Sequence, residues 1–241
     1  MGIVEKTNDR IVPQRDGYNA RLFSGGIRGY LHSSRFIWAK KIIDRLRPES
    51  VIELGCFDGR LLDYIKPHSY VGLDAGWEGG IDSAIERYRD IPAFHFYKSS
   101  MPADLARFDS GTIDLGVALE TLEHIPPHML DDYLRELSRI VSGHVVFSVP
   151  NEKGVVFLGK WIVKSILLRG DDGEKYKISE VLFATIGMTS KVRRDEHKGF
   201  DYEKLIDQIG TYFDIETVSG VPFGFPFLSF SVGIIAKPKG R

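Results

Sequence analysis

The chain has 241 residues, 43% of them apolar and 27% charged, with a formal net charge of -1. That size and composition predict one soluble domain, and the near-zero charge excludes the basic footprint of a general nucleic-acid binder, so nucleic acid is not an expected partner. The one cysteine, Cys56, excludes an intrachain disulfide framework and a cysteine-rich zinc site, and it fits a reducing, cytoplasmic setting.

Residues 1–32 are polar and punctuated by glycine, and they read as an N-terminal arm with no apolar stretch of signal-peptide length. Residues 33–241 then form the expected domain. From Ser33 or Ser34 to Leu46, apolar residues recur at helical spacing, with a serine as N-cap and Pro48 beyond the end. Strands and helices alternate after that. Ser50–Leu54 reads as a strand, Gly59–Ile65 as a helix, Tyr70–Asp74 as a strand and Ile81–Tyr88 as a helix. Ala93–Tyr97 and Ile113–Leu119 are apolar strand runs, His128–Ile140 has a helical period, and His144–Val149 is a fifth strand. This order predicts an α/β fold, a Rossmann-like, mostly parallel sheet with helices on both faces.

The rhythm breaks at 151–198, which is read as a lid or substrate insertion between the fifth strand and the last helix, Phe200–Ile209. Residues 155–168 are apolar with Lys160, Lys164 and Trp161 interspersed. That pattern suits a lid helix packed on the domain, or an amphipathic helix making peripheral membrane contact. Lys191, Arg193, Arg194 and Lys198 form a basic cluster that suits an anionic group or a solvated loop. No run of about 18 apolar residues predicts a spanning helix. Phe213–Val218 and Phe230–Ala236 bring the sheet to seven strands. Between them, Phe223, Phe225 and Phe227 are candidates for the acceptor pocket or for the core.

In open α/β sheets, ligands bind beyond the carboxyl ends of the strands, near the first strand–turn–helix. Here that turn is Gly55–Gly59, preceded by the acid Glu53. A second acid, Asp74, ends the next strand, 19 residues after Gly55, where a carboxylate can accept from ribose hydroxyls. A nicotinamide site wants G-x-G-x-x-G so that the backbone can approach a pyrophosphate, but the chain puts the bulky Phe57 between its glycines.

With these residues the sequence resembles the class I SAM-dependent methyltransferases. Val51–Gly59 is similar to their first motif, and Val71-Gly72-Leu73-Asp74 to the second. Thr112–His124 is similar to the strand and turn ending in L-E-H, and Ser148-Val149-Pro150-Asn151 to the S-x-P-N that ends the fifth strand. The resemblance covers about 34–151. It implies S-adenosyl-L-methionine held by Arg35 (with Arg28 second), Glu53, Gly55, Cys56, Phe57, Gly59, Asp74, Ala75, Ser99, Ser100, Leu119 and Glu120. Two residues depart from the pattern: Phe57 where glycine is usual, and Ser99 where an acid often reaches the adenine.

Glu120, Glu123 and His124 stand at i, i+3 and i+4, which would share one face of a helical turn. The spacing resembles the metal-dependent ubiquinone-pathway O-methyltransferases and the small-RNA 2′-O-methyltransferases, with His197 in Glu196–Phe200 as a fourth ligand. It implies a divalent metal (Mg, Mn, Fe or Zn) beside the methyl group. In a metal-free reading, His124 or His197 is the catalytic base. The expected reaction is O-methylation of a small-molecule hydroxyl on a sugar, phenol or lipid-like acceptor. RNA 2′-O-methylation, a SAM-binding regulatory protein and a nicotinamide oxidoreductase are the alternatives.

Overall fold

The computed structural model describes residues 23, 26–167, 176–193 and 198–240. Among these, seven strands make one sheet in the order β3-β2-β1-β4-β5-β7-β6. The strands are β1 (Ser50–Leu54), β2 (Ser69–Asp74), β3 (Phe94–Lys98), β4 (Ile113–Leu119), β5 (Val141–Pro150), β6 (Phe213–Val221) and β7 (Ser231–Pro238). β1 to β5 are parallel, and β7 runs antiparallel to both β5 and β6. The chain winds outward from β1 through β2 to β3, then returns to β4 on the other side of β1. That reversal opens a crevice beyond the carboxyl ends of β1 and β4.

Neighbouring residues of the central strands enter opposite cores, as period-two geometry requires. Ile52, Phe147 and Ala118 pack with α3 (Pro127–Ile140) and α6 (Tyr202–Tyr212). Val51, Val146 and Val117 pack with α1 (Gly26–Leu46) and α2 (Gly80–Tyr88). Both faces are therefore covered, and β4 reads as an unbroken apolar run because five of its seven residues are buried.

Three elements differ from expectation. α1 begins at Gly26 rather than at Ser33, so part of the expected arm is helix; the rest of 1–25, apart from Phe23, lies outside the described residues. The helix expected over Gly59–Ile65 is only a 3-10 turn, Arg60–Asp63, entered from Gly59 at φ 71°. The insertion carries two helices, α4 (Gly154–Leu167) and α5 (Ile178–Thr185), of which α5 was not foreseen. α4 is a packed helix. Phe157 is buried beside Val181 and Ala184 of α5, and Lys160 Nζ is held by the Asn151 carbonyl and Glu152 Oε1, both at 2.9 Å.

Candidate functional site

β1 delivers the chain into a turn that only particular residues can make. Gly55 has φ 76°, Phe57 φ 47° and Gly59 φ 71°. A Cβ on Gly55 would lie 2.2 Å from Thr121 Oγ1, so both its backbone angle and its packing demand glycine. The N–H groups of Gly55 and Cys56 donate to the Leu73 carbonyl, at 2.7 and 3.1 Å, which ties the turn to β2.

Asp74 ends β2 and joins the two loops. Its Oδ2 accepts from the Phe57 N–H at 2.9 Å, and its Oδ1 from the Gly76 N–H at 2.7 Å. A carboxylate has about four acceptor sites, so two remain for a ligand. Phe57 stands where glycine is usual, and its positive φ shows what glycine would give there. Its ring instead fills the space over Gly80, where a Cβ would lie 2.3 Å from Phe57 Cδ2, and it leans on Trp77 at 5.9 Å between centroids.

Glu53 is buried on β1, and its Oε2 accepts from the Tyr70 hydroxyl of β2. Burial pushes its carboxyl up to about 8, with Asp58 and Asp74 adding to the rise. Burial also raises the Cys56 thiol and the Tyr70 phenol well above their ordinary values, so both stay protonated.

At the end of β4, Glu120 takes φ 54°, a strained value for a residue with a side chain, while its N–H donates to the Ser148 carbonyl at 2.8 Å. Its Oε1 is buried with no hydrogen-bond partner among the described residues, and the same holds for Arg35 Nε on α1. The next residues form a 3-10 turn, Leu122–His124. Glu120 lies before that turn, so Glu120, Glu123 and His124 do not share a face of one α-helical turn. Glu123 is fully buried, and His124, half exposed, places Nε2 3.9 Å from Glu123 Oε1. Among the described residues no group of three or more His, Cys, Asp or Glu could hold a metal ion. His197 lies outside them, as do Arg194 and the side chain of Arg28.

These pieces enclose a cavity of about 650 Å³ at the carboxyl ends of β1, β2 and β4. Arg35, Glu53, Gly55, Cys56, Phe57, Asp74, Ala75, Ser99, Ser100, Leu119 and Glu120 all line it, with Glu123 and His124 at the same wall. Gly59 does not. It serves the turn from behind, where its carbonyl accepts from the Tyr88 hydroxyl at 3.2 Å and a Cβ would lie 2.8 Å from Tyr88 Cε2. Ser99 is held in place by its own N–H, which donates to the Asp74 carbonyl at 2.8 Å.

The sequence reading missed His32 and Phe36 on α1, Arg60, Trp77, Thr121, and the Pro126, Met129 and Tyr133 edge of α3. Arg60 adjoins one recognised motif and Thr121 lies within another, so both could have been included. His32 and Tyr133 carry no local signal, since they arrive through packing. The Ser148–Asn151 segment proves to be a clamp on the β6–β7 loop. Asn151 Nδ2 donates to the carbonyls of Pro226 (2.9 Å) and Ser229 (3.2 Å). Phe223, Phe225 and Phe227 are not core, because all three are exposed, and they do not line this cavity.

Comparison with known proteins agrees with this geometry. The chain matches the methyltransferase-domain family over residues 30–213. A search of the curated proteins finds no significant match. Among solved structures it is similar to the methyltransferase domain of a bacterial Hen1 protein, at 16% identity and a TM-score of 0.57, covering 86% of this chain and 99% of that one. It is also similar to the N-methyltransferase NodS from Bradyrhizobium japonicum in complex with S-adenosyl-L-homocysteine, at 12% identity and TM-score 0.54, covering 91% and 95%. Magnesium protoporphyrin IX methyltransferase from Synechocystis PCC 6803, with the same product bound, gives 15% and 0.54, covering 90% of each chain. At these identities the likeness is one of fold.

Proposed function

The chain belongs to the methyltransferase-domain family of the class I SAM-dependent superfamily, and on that premise we propose that it moves the methyl group of S-adenosyl-L-methionine to a hydroxyl of a small-molecule acceptor. The observation that carries this reading is Asp74. Its carboxylate holds the loops after β1 and β2 together and keeps acceptor sites on the cavity wall for ribose hydroxyls.

The remaining residues fit the cofactor. Two buried polar atoms, Arg35 Nε and Glu120 Oε1, line the same cavity with no hydrogen-bond partner among the described residues, and they suit a zwitterionic amino acid. Arg35 would take its carboxylate, Glu53 and Glu120 its ammonium end, and Ala75, Ser99 and Ser100 the adenine side. When bound, the cofactor supplies a sulfonium methyl, an electrophile that needs no further activation.

The work left to the protein is to orient the acceptor and remove its proton. His124 would take this part. It stands at the cavity wall with Nε2 near Glu123 Oε1, a carboxylate able to steady the imidazolium as the acceptor oxygen gives up its proton. Oxygen is favoured over nitrogen because a neutral amine already carries the lone pair, whereas a hydroxyl profits from a base. A base at His124 needs no metal, and among the described residues no group of three or more His, Cys, Asp or Glu assembles a ligand set.

The test is transfer from labelled S-adenosyl-L-methionine to a panel of sugars, phenols and lipid-like alcohols, with and without a strong chelator. Transfer should survive chelation, and His124→Ala should lower kcat about 10²- to 10⁴-fold with little change in cofactor affinity. Loss of transfer in chelator, or an unchanged His124→Ala enzyme, would count against the metal-free base.

A further inference from the structure

α5 turns its most apolar residues to solvent. Ile178, Leu182 and Ile186 recur at i, i+4 and i+8, on one side of the helix and its cap, and they are 87%, 59% and 57% exposed. Met188, just beyond the helix end, is exposed as well. The other side of α5 holds Val181 and Ala184, buried with Phe157 of α4. A surface helix ordinarily sets polar residues opposite its packed face. Here both faces are apolar, and one is left uncovered by the described residues.

Among the described residues 176–193 the exposed charges have one sign, while the acids Asp171, Asp172, Glu174, Asp195 and Glu196 lie outside the described residues. Lys177 precedes the helix, and Lys191 and Arg193 follow it, all three exposed. The only acid between Tyr176 and Arg193 is Glu180. It is buried and neutralised, with Lys198 Nζ at 2.9 Å from its Oε2 and the Lys177 N–H at 2.8 Å from the same oxygen. α4 lies against α5 and also against the Pro226–Leu228 turn, where Phe225, Phe227 and Leu228 are exposed as well. α4 leaves the sheet just after the carboxyl end of β5, and the carboxyl ends of the parallel strands β1 and β4 are where the cavity lies.

We propose that this face docks on an anionic lipid surface, with the Ile178–Ile186 strip at the headgroup boundary and Lys177, Lys191 and Arg193 against the lipid phosphates. Burial of the apolar strip and attraction of the cations act together at such a surface. The contact is peripheral, since no described helix is long and apolar enough to cross a membrane. A second copy of the chain fits less well. In a two-fold contact the same patch meets itself, which would bring the cations of one chain against those of the other.

Sedimentation of the full chain with vesicles tests this. Vesicles of equal parts phosphatidylcholine and phosphatidylglycerol should pellet the protein, and pure phosphatidylcholine should not; raised salt should weaken the binding. Ile178→Ser with Leu182→Ser, and separately Lys191→Glu with Arg193→Glu, should each cut the bound fraction about tenfold or more while leaving S-adenosyl-L-homocysteine binding intact, which shows that the variants fold. The proposal is overturned if the two vesicle types behave alike. It is equally overturned if either pair of substitutions has no effect, or if the strip instead mediates self-association that Ile178→Ser with Leu182→Ser abolishes.

Discussion

Two residues with side chains, Phe57 and Glu120, hold φ of 47° and 54° on the cavity wall. Strain of this kind costs on the order of 1 kcal/mol or more at each position and persists where the surroundings over-determine it. Glu53 departs from ordinary behaviour in another way. Its folded-state value of about 8 lies above the usual 4.5 because burial penalises the charged form. Protonation therefore favours the folded chain. The stability this group lends is complete below the unfolded value and is lost as pH rises through about 8. Across that window the apo protein should lose stability at about 1.4 kcal/mol per pH unit from this source at most. Thermal melts against pH should show that decline in the native chain and a flatter profile in Glu53→Gln. Equal slopes would mean that the carboxyl titrates as if exposed. A bound ammonium would lower the Glu53 value, so the decline should also shrink when cofactor product is present.

At the scale of elements, the first turn and α2 depend on each other. The Phe57 ring occupies the place where any side chain at Gly80 would start. Gly80→Ala should destabilise the protein by about 1–3 kcal/mol through overpacking, and it should weaken cofactor binding because the ring is a wall of the cavity. Combining it with Phe57→Ala should restore part of the stability; strictly additive losses in denaturant titrations would show that the two residues are not coupled. The same scale separates what the sequence made legible from what it hid. Strands such as β4 were legible because burial on both faces leaves a continuous apolar run. The turn after β1 was legible as a motif but not as a shape, since Gly59–Ile65 has helical spacing yet closes as a short 3-10 turn. α5 was hidden because its apolar residues lie on two faces and give no single stripe. Apart from Arg35 on α1, the cavity residues recognised in advance sit at or just beyond strand ends, where sequence order and spatial order coincide. His32 and Tyr133 come from helices, and only tertiary packing brings them to the same wall.

At the scale of the molecule, the sheet order places one crevice between the outward and return windings. The first two motifs end there for that topological reason. The parallel, two-faced sheet expected from strand–helix alternation is the one observed, with an antiparallel β7 between β5 and β6 that periodicity alone did not predict. The insertion between β5 and α6 starts from the carboxyl end of β5, the end of the parallel strands at which the cavity also lies. Everything proposed about chemistry rests on that cavity taking S-adenosyl-L-methionine rather than a dinucleotide. Isothermal titration of the full chain with S-adenosyl-L-homocysteine and with NAD measures this directly. The account predicts one-to-one binding of the first, weakened by about 1–3 kcal/mol in Asp74→Ala, and none of the second. Binding of NAD with no heat from S-adenosyl-L-homocysteine would contradict it.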